Sequence, residues 1–216
     1  AEAEFRKIVQ QEPRDARSYL LLGMVKEAQQ EAEAAVDAYK TALDLYPGLS
    51  DAVQRLSRLY ISRKEWEKAE MLFTGLMARD SSNLDAWLGR GTVLRMRGNS
   101  EEALDHFLAA ADRFPQESSI YMNLGEIYLQ NDKYISSYEN FKQVTKLEKG
   151  NFLGWLYSGL SLVYADSLEP AEPYLNRAVG INPDNFQANF YLGTILTQLS
   201  RSREAIPSPR RRPQGR

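Results

Sequence analysis

Residues 121–125 read YMNLG, and close variants return along the chain: YLLLG at 19–23, WLGRG at 87–91, WLYSG at 155–159 and FYLG at 190–193. The closing glycines Gly23, Gly91, Gly125, Gly159 and Gly193 are separated by 68, 34, 34 and 34 residues. Ser57 occupies the place left in the first gap. A fixed period of about 20–50 residues marks an array of small units, none of which buries its apolar faces alone. Six phased copies start near residues 16, 50, 84, 118, 152 and 186.

Other positions keep the same phase. A small residue follows each glycine site by twelve: Ala35, Ala69, Ala103, Ser137, Ala171 and Ala205. Four further on stands a large one, Tyr39, Phe73, Phe107, Phe141 or Leu175. Three beyond that come Ala42, Leu76, Ala110, Val144 and Ala178, and then Pro47, Ser81, Pro115, Lys149 and Pro183. The openers are Tyr19, Val53, Trp87, Tyr121, Trp155 and Asn189. Each copy carries two apolar segments of helical period, split by a polar break. In RGNSEEA, residues 97–103, Gly98 and Asn99 end one helix, and Ser100 is expected to cap the next. Glu101 and Glu102 then favour its first turn electrostatically rather than forming a catalytic pair.

This pattern resembles the tetratricopeptide repeat (TPR) family, over residues 1 to about 206. Copy two is its poorest member, lacking the glycine, the aromatic opener and the proline. Ala1, Phe5, Ile8 and Pro13 fit a leading half repeat over residues 1–15. The resemblance implies an all-α, right-handed superhelical solenoid of antiparallel helix pairs. It further implies that one stripe of each first helix packs inside and another lines a concave groove that holds a partner segment.

Taken that way, FLGWLYSGLSLVYA at 152–165 is apolar nearly all round because two of its faces have work. Trp155, Ser158, Gly159 and Leu162 are expected to pack. Leu153, Leu156, Leu160 and Val163 are expected in the groove, flanked by Tyr157 and Tyr164. Copy six continues the groove with Phe190, Tyr191 and Thr194, and copy four with Met122, Asn123, Glu126 and Leu129. Copy two offers a polar counterpart in Asp51, Gln54, Arg55 and Arg58, with Ile61. A carboxylate clamp of the kind some TPR domains use is absent: Asn123 fits one place, but Leu88, Thr92, Leu153 and Tyr157 do not fit the others.

The chain of 216 residues is 43% hydrophobic and 26% charged, an ordinary globular balance. Its net charge of −2 argues against a dedicated nucleic-acid surface. Residues 207–216 hold four arginines and no acid; the preceding 206 carry −6. The 152–165 run is shorter than the roughly 20 residues a membrane span needs. No cysteine is present, which excludes disulfides and thiolate chemistry. His106 is the single histidine, expected on the surface, and no metal or nucleophile set accompanies it. No cofactor is implied.

Pro207 and Pro209 forbid the second helix that SREAI, residues 202–206, would begin. Residues 207–216 are expected to form an unstructured Pro/Arg-rich tail. The chain reads as a piece of a longer repeat protein, and end-to-end self-association through uncapped ends is a sharper expectation. The functional expectation is a non-catalytic scaffold that binds an amphipathic or apolar segment of a partner protein in its groove. The alternative is the targeting or regulatory arm of a larger enzyme.

Overall fold

The structure, a computed structural model, describes residues 12–205. The leading residues of the expected half repeat and the expected tail lie outside them. The described residues form eleven helices and no strand: α1 (Ala16–Ala28), α2 (Ala32–Leu45), α3 (Ser50–Ser62), α4 (Trp66–Arg79), α5 (Leu84–Arg97), α6 (Ser100–Arg113), α7 (Ser118–Gln130), α8 (Tyr134–Leu147), α9 (Phe152–Tyr164), α10 (Leu168–Ile181) and α11 (Phe186–Ala205). The odd-numbered helices begin where the six copies begin. The chain divides into two compact units, residues 1–106 and 107–216.

The period is written in the backbone as well. Five turns between a first and a second helix each hold one residue with positive φ: Gln30 at 62°, Lys64 at 57°, Gly98 at 93°, Asp132 at 56° and Asp166 at 55°. These stand 34 residues apart. The left-handed conformation reverses the chain within one turn, and glycine alone adopts it without steric cost. Ser200 is next in phase, yet it lies within α11. The SREA segment therefore extends α11 instead of starting a second helix. At the clearest break, Ser100 is the first helical residue of α6, one place later than a cap, and Asn99 accepts the Ala103 N–H through its carbonyl.

In copies three to six the opener is a hydrogen-bond donor. Trp87 Nε1 donates to the Ser81 carbonyl (3.0 Å), Tyr121 Oη to Pro115 (3.1 Å), Trp155 Nε1 to Lys149 (2.9 Å) and Asn189 Nδ2 to Pro183 (2.7 Å). This ties α5, α7, α9 and α11 to the end of the preceding second helix, and it explains why asparagine serves in copy six. Asn83, Asn151 and Asn185 cap α5, α9 and α11 by accepting N–H bonds of 2.9, 3.0 and 2.9 Å.

Three of the phased glycines are filled sockets. A Cβ on Gly23 would meet the Tyr39 ring at 2.4 Å, one on Gly125 the Phe141 ring at 2.7 Å, and one on Gly159 the Leu175 Cγ at 2.7 Å. In copy two Ser57 carries a Cβ at the phased position, and the Phe73 ring lies over Gly89 of the next first helix, 2.2 Å from where a Cβ would be. Phe141 also stacks on Tyr157 of the next copy, ring centroids 5.1 Å apart, so it wedges two copies together.

Candidate protein-binding face

In unit 2, α9 packs against α8 and α10, with α11 alongside α10 and touching α9. Its glycines and serines are what allow this. Gly154 faces Val144, Gly159 faces Leu175, and Ser161 Oγ lies 2.9 Å from Ser137 Oγ, which itself donates to the Gly125 carbonyl. Ser158 Oγ donates to the Gly154 carbonyl at 2.7 Å, so the buried hydroxyls are satisfied.

This crowding revises the expected groove. Leu156 and Leu160 are 2% and 1% exposed and belong to the core cluster with Leu175 and Ile195. They are buried because three helices contact α9, where helical periodicity suggested one packed stripe and one open groove stripe. Tyr157 is half-buried against Phe141, and Val163 is half-buried against the core. Leu153 and Tyr164 remain open, at 45% and 43%. Eleven residues apart, they lie within about 20° of each other around the helix and about 16 Å apart along it.

Phe190 stands one period after Leu156 and is 55% exposed. No described helix covers that side of α11. Tyr191 contacts Phe190 edge-on, and its hydroxyl lies 3.0 Å from that of Tyr164. This hydrogen bond, burial and the neighbouring tyrosines push the Tyr164 phenol up to about 12. Two residues absent from the sequence reading complete the row. Phe186, 81% exposed, stacks on Phe190 at 6.0 Å, and Tyr134 meets Tyr164 at 5.6 Å. Tyr134, Tyr164, Tyr191, Phe190 and Phe186 thus form a continuous aromatic row across α8, α9 and α11. A large residue opening the second helix, as Trp66 and Leu168 do in other copies, was the available signal for Tyr134. On α7, Met122, Asn123, Glu126 and Leu129 are half-buried, and no described ring contact joins them to the row. Thr194 donates to the Phe190 carbonyl of its own helix.

The polar stripe in unit 1 is partly occupied. Arg55 pairs with Glu27 at 3.0 Å, and Tyr39 donates to the same carboxylate at 2.6 Å. Burial raises the Glu27 carboxyl, but these two hydrogen bonds outweigh it and hold the group below the usual range. Arg55 therefore braces α1 against α3. Asp51, Gln54 and Arg58 are exposed, and Gln54 borders a cleft of about 210 Å³ with Val53, Phe73 and Gly89.

His106 is not a surface residue: it is 6% exposed. Trp87 stacks on it at 5.0 Å, its Nε2 lies 2.9 Å from the Trp87 carbonyl, and its Nδ1 lies 3.1 Å from Arg90. Arg90 in turn pairs with Glu70 at 2.9 Å. A carbonyl on one nitrogen and a guanidinium on the other fix the neutral tautomer that donates from Nε2. Burial lowers its basicity. Among the described residues no cluster of three His, Cys, Asp or Glu could hold a metal. None of their helices is long and apolar enough to cross a membrane.

Phased helix pairs with an open aromatic face define a repeat scaffold of the kind through which proteins bind other proteins. Tetratricopeptide repeat models match residues 1–50, 55–118, 97–134 and 118–151, and the chain belongs to that family. It is 24% identical over 194 residues to anaphase-promoting complex subunit 3 of Schizosaccharomyces pombe, covering 90% of this chain and 29% of that protein. It is 23% identical to the BBSome complex member BBS4 of Bos taurus, covering 87% of this chain and 36% of that one. The chain thus spans about a third of these relatives. Among solved structures it resembles YrrB, a TPR protein with an unusual peptide-binding site, with a TM-score of 0.60 at 22% identity over 88% of this chain and 98% of the other.

Proposed function

We propose that the aromatic row of unit 2, with Leu153 at its far edge, captures an apolar or amphipathic segment of a partner protein, and that the chain acts as a non-catalytic assembly scaffold. The observation that carries this reading is the row itself: five rings in mutual contact, three of them at least 43% exposed. Aromatic side chains are favoured at binding hot spots because they bury much area at little entropic cost. Each such ring buried against a partner contributes about 1.5–3 kcal/mol before association costs. The Tyr164 and Tyr191 hydroxyls add a polar mark that orients the segment. Two relatives are members of multiprotein complexes, and the YrrB structure carries a peptide-binding site, which supports the same direction.

Capture of a purified partner by the chain and by a Phe186→Asp, Phe190→Asp double variant tests this. Both side chains are exposed, so helicity and melting are expected to persist while capture is lost. Undiminished capture by the variant refutes the proposal. Leu156→Ala serves as the contrast: it empties a core position and costs about 2–5 kcal/mol of stability.

A further inference from the structure

Unit 2 also holds a cleft of about 520 Å³ between its second helices α8 and α10. Lys142, Lys146, Lys149 and Arg177 line it, with no carboxylate among the lining residues. Lys142 and Lys146, one turn apart, share one side of α8, and Lys149 lines the cleft from the turn that follows. The apolar part comes from Trp155, Pro173 and Tyr174. Lys142 lies 3.5 Å from the exposed Glu139 carboxylate. Lys146, Lys149 and Arg177 form no ion pair among the described residues.

The repeat builds such a cleft once more, and the comparison shows what is particular here. In unit 1 a cleft of about 560 Å³ is lined by Lys40, Asp44, Lys68 and Arg79. Lys142 stands three periods after Lys40, and Lys146 occupies the place of Asp44. Lys68 is already paired with Glu65 at 2.7 Å. The geometry is shared, but unit 1 sets Asp44 among its cations and has Lys68 already paired, whereas four cations and no carboxylate line the cleft of unit 2, in a chain whose net charge is −2.

The rings beneath the cations are occupied. Arg177 lies 6.0 Å over Trp155, Tyr174 leans on the same ring at 5.7 Å, and Lys142 lies 5.0 Å over Tyr138. Tyr138 and Tyr174 meet edge to face, with their hydroxyls 2.9 Å apart. Stacking a nucleic-acid base requires a bare aromatic face, and these are covered. A carboxylate-bearing peptide makes no such demand.

We propose that the cleft between α8 and α10 docks an acidic segment of a partner protein, one apolar side chain resting on the exposed Pro173 while flanking carboxylates pair with Lys142, Lys146, Lys149 and Arg177. The site lies on second helices and is independent of the aromatic row.

The test uses the whole 216-residue chain and labelled peptides in which a leucine or phenylalanine is flanked by glutamates or, in the counterpart, by lysines. The acidic peptide is expected to bind, to weaken steeply as salt rises, and to bind at least tenfold less tightly to a Lys146→Glu, Lys149→Glu variant. Arg177→Glu, on the opposite helix, is expected to give a loss in the same direction. Both variants retain the tail arginines, so binding that survives them belongs to the tail and overturns the proposal. Equal affinity for the lysine peptide overturns it too, as does tighter binding of single-stranded oligonucleotides or phosphatidylserine vesicles than of the acidic peptide. Phe186→Asp with Phe190→Asp is expected to leave acidic-peptide binding unchanged, which separates this site from the aromatic row.

Discussion

Replacing Gly159 and Gly193 by alanine, one at a time, separates a filled socket from an empty one. Both glycines lie in helices and occupy the same phase of the repeat, so both substitutions bring the same gain in helix propensity, about 1 kcal/mol. That gain cancels in the comparison, and what remains is the steric term. At Gly159 the added methyl would lie 2.7 Å from Leu175 Cγ, 2.8 Å from its Cδ2 and 3.3 Å from its backbone nitrogen. Cγ sits close to the main chain and Leu175 is fully buried. Relief therefore means shifting α10 itself. Overpacking of this kind costs about 1–3 kcal/mol. At Gly193 nothing among the described residues lies within 4 Å. Gly193→Ala is expected to stabilise by about 1 kcal/mol and Gly159→Ala to be neutral or to destabilise by up to about 2 kcal/mol. For a chain of this length that gap corresponds to roughly 2–12 °C in Tm. Because repeat arrays open in parts, thermal melts followed by circular dichroism should be paired with amide exchange on α9 and α10. Equal stabilisation by the two variants would refute the socket argument.

Two further outcomes follow from the backbone and from the buried histidine. Lys64→Gly and Gln30→Gly remove a side chain from the left-handed turns and are expected to stabilise by up to about 1 kcal/mol each, read as a higher urea midpoint, whereas Gly98→Ala is expected to lower it. His106 has a folded basicity below its ordinary value of 6.5, so the folded protein favours the neutral ring. Its contribution is fully present above about pH 6.5 and is lost as pH falls from there through the depressed value. Protonation would also turn Nδ1 into a donor facing Arg90, with Glu70 the carboxylate behind it. Melting of unit 1 measured from pH 8 to pH 5 is expected to fall more steeply in the parent than in His106→Gln.

The period made the fold legible, because a phased glycine, a small residue and a large one are what close helix pairing demands. Six helix starts came from it without further information. The turn residues were hidden: only Gly98 among the five left-handed positions is a glycine, and Gln30 or Lys64 carries no local mark. The close approach of Phe73 to Gly89 was equally hidden, since it joins a large residue of one copy to the first helix of the next. Only part of the expected stripe lies open at the surface. Leu153, Tyr164, Phe190 and Tyr191 are where helical periodicity put an open stripe, but Leu156 and Leu160 lie on that stripe and are buried. Angular position says which residues share a side, not how many neighbours press on it. The lone His106 looked incidental because its partners, Trp87, Arg90 and Glu70, come from two other helices.

The most direct measurement places a photo-reactive phenylalanine analogue at position 190, and separately at the exposed Thr74 of unit 1, and maps the cross-links formed with a bound partner. Cross-links from position 190 that converge on one apolar or amphipathic partner segment, with none from position 74, are the expected result. A complex that forms fully while position 190 yields no cross-link would contradict the account.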